Sequence, residues 1–236
     1  MNPTRTALLT IDLQNDFLHP EGAYGRADQS ADAIAQLPDR IKPLRDALIA
    51  AGGYFISAQF TLVPGRNDEP LIAAHLRELR PFLGKGDFAP GGFGHSVVDT
   101  LAPADFTIEK VAYSAFYQTR LDYVLRKAGI DTLIVGGIVT NGGVASTVRD
   151  AHVRDIHTYL LTDGTAAFNG DVHDATVKSL GSITKTATCA EMFEMIEGES
   201  ILLKMSALGI AASSGSACVA AARARRACIG SIVSGR

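Results

Sequence analysis

Short apolar runs and longer amphipathic stretches alternate along the chain. The runs Thr6–Ile11, Tyr54–Ala58, Phe106–Ile108, Thr132–Val135 and Thr158–Leu161, with a weaker Ser182–Thr184, are uncharged and mostly β-branched or aromatic. Runs of that length and composition predict strands buried on both faces. Between most of them lie Ser30–Ala51, Thr119–Ala128, Asn141–Val153 and Val172–Leu180, which read as amphipathic helices. The alternation predicts an α/β fold built on a parallel sheet. Two segments break the rhythm. Residues 60–105 hold most of the prolines and a glycine-rich patch, Gly84 to Gly94, too long for a plain connection and expected to form a lid or substrate loop. After about residue 192 the alternation stops and Ala, Ser and Arg dominate.

Composition narrows the picture. At 236 residues with 47% hydrophobic and 20% charged positions, the chain can bury one α/β domain, or one domain plus an appendage. The expected division is a catalytic domain over 1–191 and a C-terminal appendage over 192–236, disordered in part. Its 22 basic and 25 acidic residues leave a net charge of -3 without a large block of one sign. Nucleic acid and anionic membrane are therefore excluded as main partners, and a small-molecule substrate is expected. Three cysteines, Cys189, Cys218 and Cys228, form neither a disulfide framework nor a zinc motif, which predicts a reducing, cytoplasmic setting. The N-terminus lacks the long apolar stretch of a signal peptide and is expected to remain on the mature protein. The uncharged run Met205–Ala222 is built from Ala, Ser and Gly, so no membrane span is expected there.

In an open parallel sheet the ligand site lies beyond the carboxyl ends of the strands. The polar residues at those ends are Asp12, Gln59, Glu109 with Lys110, and the turn Gly136-Gly-Ile-Val-Thr-Asn-Gly-Gly143. Each alone has an ordinary structural role open to it, as a cap, a solvated end or a loop hydrogen bond. Their convergence on adjacent strands predicts one crevice, with a lysine keeping a carboxylate oriented for proton transfer. The glycine pairs let the backbone turn sharply and present amides at a helix start. Neither of the common phosphate-binding glycine motifs is present, and no cofactor is expected.

Three motifs, Ala7-Leu-Leu-Thr-Ile-Asp12-Leu-Gln-Asn-Asp-Phe17, Lys110-Val-Ala-Tyr-Ser-Ala-Phe116 and Gly136 to Ala151, resemble the isochorismatase-like (cysteine hydrolase) superfamily over residues 5 to 190. The resemblance implies a three-layer α/β/α sandwich around a six-stranded parallel sheet in Rossmann-like order. It also implies dimers or tetramers and a non-proline cis peptide at Ile138–Val139. Amidases of this superfamily use an Asp-Lys-Cys triad, whose first two places match Asp12 and Lys110. The cysteine place falls on Gly143, which has no side chain to attack with. True isochorismatases, which cleave a vinyl ether, also carry glycine there, and Ala58-Gln59 and Tyr113 to Phe116 resemble that branch. Thr140-Asn141 and Ile11-Asp12 resemble the amidase branch. The resemblance therefore implies an isochorismatase-like hydrolase working by non-covalent water attack on a vinyl ether or related bond. The alternatives are an amide C–N hydrolase that has lost its cysteine, and a non-catalytic small-molecule-binding protein. Asp12, Lys110 and Gly143 form the expected catalytic set. Gln59, Phe17, Tyr113, Phe116, Val139 and Thr140 are the expected substrate contacts, with amides near Val139 and Gly143 as oxyanion donors. The metal-binding Asp-x-His of some relatives is replaced by Gln59-Phe60-Thr61, and His75 and His95 lack a nearby carboxylate, so no metal is expected. Asp163, Phe168 and His173 match fold-bearing turns.

The segments Phe193–Leu203 and Gly209–Cys218 resemble the C-terminal stretch of NifS-like cysteine desulfurases. Nothing else in the chain supplies that family's cofactor domain. The stretch is expected to be an appended fragment, with Arg223, Arg225 and Arg226 as solvated charge.

Overall fold

The computed structural model describes residues 1–207. Strands β1 (Thr6–Ile11), β2 (Tyr54–Phe60), β3 (Phe106–Lys110), β4 (Thr132–Ile138), β5 (His157–Ala166) and β6 (Lys185–Ala187) form one sheet in the order β3-β2-β1-β4-β5-β6. Every neighbouring pair is parallel. The helices in chain order are α1 (Asn15–Leu18), α2 (Ala23–Arg26), α3 (Asp32–Ala35), α4 (Leu37–Ala50), α5 (Ala74–Leu79), α6 (Leu121–Ala128), α7 (Ala145–His152), α8 (Gly170–Leu180) and α9 (Cys189–Ala207). None of the described helices is long and apolar enough to cross a membrane.

Side chains on a strand alternate between faces, and β1 shows how that makes three layers. Ala7, Leu9 and Ile11 join one core cluster with Leu121, Val124 and Leu125 of α6 and Val148 and Ala151 of α7. Leu8 points the other way, into a second cluster with Leu37, Ile41, Leu44 and Leu48 of α4 and Met192 and Ile196 of α9. The α4 spacing of four, three and four residues is one helical stripe. Both sheet faces are covered, which is why the strands read as continuous apolar runs.

The structure moves two boundaries. Ser182–Thr184 is not the last strand: the amides of Ile183 and Thr184 bond back to the Leu180 carbonyl at 2.9 and 3.1 Å, finishing α8, and β6 begins at Lys185. The stretch 30–51 is two helices, because Pro38 lacks the N–H that would continue α3 into α4. Helix α9 runs without a break past residue 192, and Met192 and Ile196 are fully buried. The expected tail features Gly209–Cys218, Arg223, Arg225, Arg226 and Cys228, and most of the Met205–Ala222 run, lie outside the described residues.

The insertion between β2 and β3 holds one α-helix, α5, and two short 3-10 turns, and folds back on the segment after β1. The amides of Asn15 and Asp16 donate to the carbonyls of Ser96 and Gly94, at 3.0 and 2.8 Å. Asp16 in return accepts from the amides of Ala23 and Phe88. Gly94 has to be glycine, since a Cβ there would lie 2.0 Å from the Asp16 carboxylate. The glycine-rich patch thus anchors the loop to the first motif.

Candidate active site

The strand order reverses between β1 and β4, and the polar residues collect at that switch point. The two strands can sit side by side at their ends because Gly137 has φ +108°, and a Cβ on it would come within 2.2 Å of the Ile11 carbonyl oxygen. One residue on, Asp12 leaves β1 in a left-handed conformation, φ 59°, uncommon for a non-glycine residue and tolerated best by short polar side chains.

Lys110 and Asp12 form a buried ion pair, Nζ to Oδ2 at 2.8 Å, with the Lys110 side chain 1% exposed. Lys110 Nζ also donates to the Ala112 carbonyl at 3.1 Å and lies 5.6 Å from the centre of the Phe60 ring. The other Asp12 oxygen, Oδ1, accepts from the Phe60 amide at 3.0 Å. A buried charge is tolerated when it is paired and its remaining bonding capacity is met, and both conditions hold for this pair. Burial pushes the Asp12 carboxyl above the ordinary carboxylate range, while the charge and hydrogen bond of Lys110 and the Phe60 amide pull it down. The outcome is a carboxylate that is oriented and more basic than one in water.

Gly143 lies in the single π-helical turn Thr140–Val144 between β4 and α7. A Cβ on it would stand 3.3 Å from Asp12 Oδ2, 3.1 Å from the Ile138 carbonyl oxygen and 2.8 Å from Ile11 Cγ2. The ion pair therefore faces backbone where a side chain at this position would begin. Thr147 Oγ1 donates to the Gly143 carbonyl at 2.7 Å and accepts from the Ala115 amide at 3.0 Å, holding the turn from behind. The Ile138–Val139 peptide is cis.

The remaining expected contacts separate into groups. Gln59 is buried at the end of β2, one residue before Phe60. Phe17 packs on Tyr24, Phe60 and Phe88, forming an aromatic wall. Tyr113 is largely exposed, and its ring edge lies 3.3 Å from where a Gly142 Cβ would be, so it covers the turn from outside. Val139, half-buried, opens the turn.

Two of the expected contacts are held by the fold itself. Phe116 lies in the α6/α7 core with the Arg154 guanidinium 4.7 Å from its ring centre. Thr140 is fully buried, and its hydroxyl meets Thr165 Oγ1 at 3.2 Å and His173 Nδ1 at 2.8 Å. It ties the turn to β5 and α8.

Phe60, Gln14 and His95 are absent from the expected site residues, yet they brace the site. Gln14 Oε1 accepts from the Phe60 amide at 2.7 Å, and its Nε2 donates to the carbonyls of Phe60 and His95. Burial lowers the His95 pKa, and its Nε2 lies 2.8 Å from Thr61 Oγ1. Among the described residues no three His, Cys, Asp or Glu side chains group as a metal site.

The sequence profile of the Isochorismatase domain matches residues 6–192. The ureidoacrylate amidohydrolase RutB of Methylorubrum extorquens is 32% identical over 171 residues, covering 68% of this chain and 69% of that protein. The uncharacterized isochorismatase family protein YwoC of Bacillus subtilis is 30% identical over 207 residues, covering 82% and 95%. Among solved structures, a cysteine hydrolase from Pseudomonas syringae superposes with a TM-score of 0.71 at 29% identity, over 84% of this chain and 94% of that one.

Proposed function

The chain belongs to the isochorismatase family of hydrolases, and we propose that it cleaves a carbon–nitrogen bond of a small amide or ureide by direct attack of water. The observation that carries this reading is the buried Asp12–Lys110 pair set against a residue with no side chain, Gly143. Asp12 takes a proton from water as its oxygen bonds to the carbonyl carbon. The proton then passes to the leaving nitrogen as the C–N bond breaks, releasing ammonia or an amine and leaving a carboxylic or carbamic acid. Lys110 keeps the carboxylate aimed and compensates its charge. In this reading, amides near Val139 and Gly143 receive the negative charge that develops on the carbonyl oxygen. The named relative that acts on ureidoacrylate supports a C–N bond over an ether.

Gly143 favours a second reading, since true isochorismatases resemble this chain there and need no covalent nucleophile for a vinyl ether. A turnover screen across primary amides, ureido acids and isochorismate separates the readings. Ammonia release from an amide or ureide is expected. Pyruvate release from isochorismate alone overturns the C–N reading, and tight binding without any turnover overturns both.

The direction of the Asp12 shift fixes the acid limb of the pH profile. The base form is active, so kcat/KM falls as pH drops through a carboxyl whose pKa lies above the ordinary value of 3.8. Initial rates between pH 4 and 8 test this. A profile flat down to pH 4 contradicts Asp12 as the base.

A further inference from the structure

Resting on the hydrolase reading, we propose that Arg80, held by the Tyr24 hydroxyl beside the aromatic wall, anchors a carboxylate on the far end of the substrate. Arg80 directly follows α5, in the insertion between β2 and β3. Its Nε donates to the Tyr24 hydroxyl at 2.9 Å and one terminal nitrogen donates to the Leu79 carbonyl at 3.0 Å. Arg5, Arg26, Arg45 and Arg154 each have an acidic partner. Arg80, half-buried, has no carboxylate within 4.0 Å among the described residues.

Tyr24 sets where that guanidinium stands. It is 7% exposed, against Phe17 at 4.7 Å and Phe82 at 5.0 Å between ring centres, and near-parallel to Phe168 at 6.0 Å. Phe17 in turn lies 6.4 Å from the ring of Phe60, whose amide donates to Asp12, so Tyr24 belongs to the aromatic wall that runs to the ion pair. Burial raises the Tyr24 pKa, so the phenol keeps its proton, accepting from Arg80 while its own O–H remains a donor. Arg80 and Tyr24 together offer guanidinium N–H groups and a hydroxyl beside an apolar wall, the donor set that fixes a planar carboxylate. Lys110 is matched by Asp12 and does not compete for the substrate's charge. The substrate class is then an amide or ureide with a carboxylate beyond the scissile group.

The test is calorimetric binding of 3-ureidopropionate and its neutral primary amide to the wild type, Arg80→Gln and Arg80→Lys. The wild type is expected to bind the acid roughly 10- to 100-fold more tightly, the range for charge-assisted hydrogen bonds. Arg80→Gln should bring that ratio near one while affinity for the neutral amide holds, and Arg80→Lys should retain part of the preference. A purely structural Arg80 would weaken both probes alike. Equal wild-type affinities, no measurable binding of either probe, or a preference that survives Arg80→Gln overturns the proposal. Acid preference without turnover of any amide or ureide sinks the hydrolase reading and leaves the anchor standing.

Discussion

Asp12→Asn is expected to lower kcat/KM by roughly 10²- to 10⁴-fold, the usual contribution of a positioned general base. The amide has nearly the shape of the carboxyl and can still accept from the Phe60 amide, but it cannot take a proton from water. It also leaves Lys110 charged, buried and without its counter-ion. Breaking one side of such a pair costs about 3–5 kcal/mol, so a urea titration should show a large loss of stability beside the loss of activity. The double variant Asp12→Asn/Lys110→Met separates the two effects. Removing both charges should restore much of the stability and none of the turnover. Undiminished activity in the single variant, once shown to be folded, removes Asp12 from the mechanism.

Gly143→Cys is the second large effect and acts in the opposite direction. The new Cβ would meet Ile11 Cγ2 at 2.8 Å and the Ile138 oxygen at 3.1 Å. The turn and Ile11 must yield by a few tenths of an ångström, at a cost of about 1–3 kcal/mol. In return a thiol is attached to a carbon 3.3 Å from Asp12 Oδ2, beside the Lys110 ammonium. We expect iodoacetamide to label position 143 of the variant at least about tenfold faster than Cys189, whose thiol is buried and pushed well above its ordinary pKa. Incubation with a turned-over amide should add an acyl mass to the variant. Peptide mass spectrometry of wild type and variant reads both. A folded Gly143→Cys variant as inert as the wild type would show that the Asp12–Lys110 pair does not activate a group at this position.

Much of the architecture was legible because it rests on local pattern. A strand buried on both faces leaves an uncharged β-branched run, and β1, β2 and β4 each begin where such a run begins. The end of α8 was not legible: Ser182–Thr184 has strand-like composition, and only the hydrogen bonds from Ile183 and Thr184 to Leu180 make it a helix terminus. Asp12 and Lys110 could be found because each follows the end of an apolar run, and parallel pairing brings such ends together. Phe60 could have been found the same way, since it directly follows Gln59. The hydrogen bond of Thr140 was not legible, because its partner His173 lies 33 positions along the chain. Arg80 carries no sequence signal. Its place depends on how the insertion folds onto Gln14 to Asp16, through the amides of Asn15 and Asp16 and the side chains of Gln14 and Asp16.

In the proposed mechanism water, not a protein group, forms the first bond to the substrate. Its most direct test is a single turnover of the fastest amide substrate in ¹⁸O-labelled water, with excess enzyme quenched at successive times and weighed intact. One solvent oxygen is expected in the product acid, with an enzyme mass that never changes. A transient adduct on the chain, formed and lost at the rate of turnover, would contradict it.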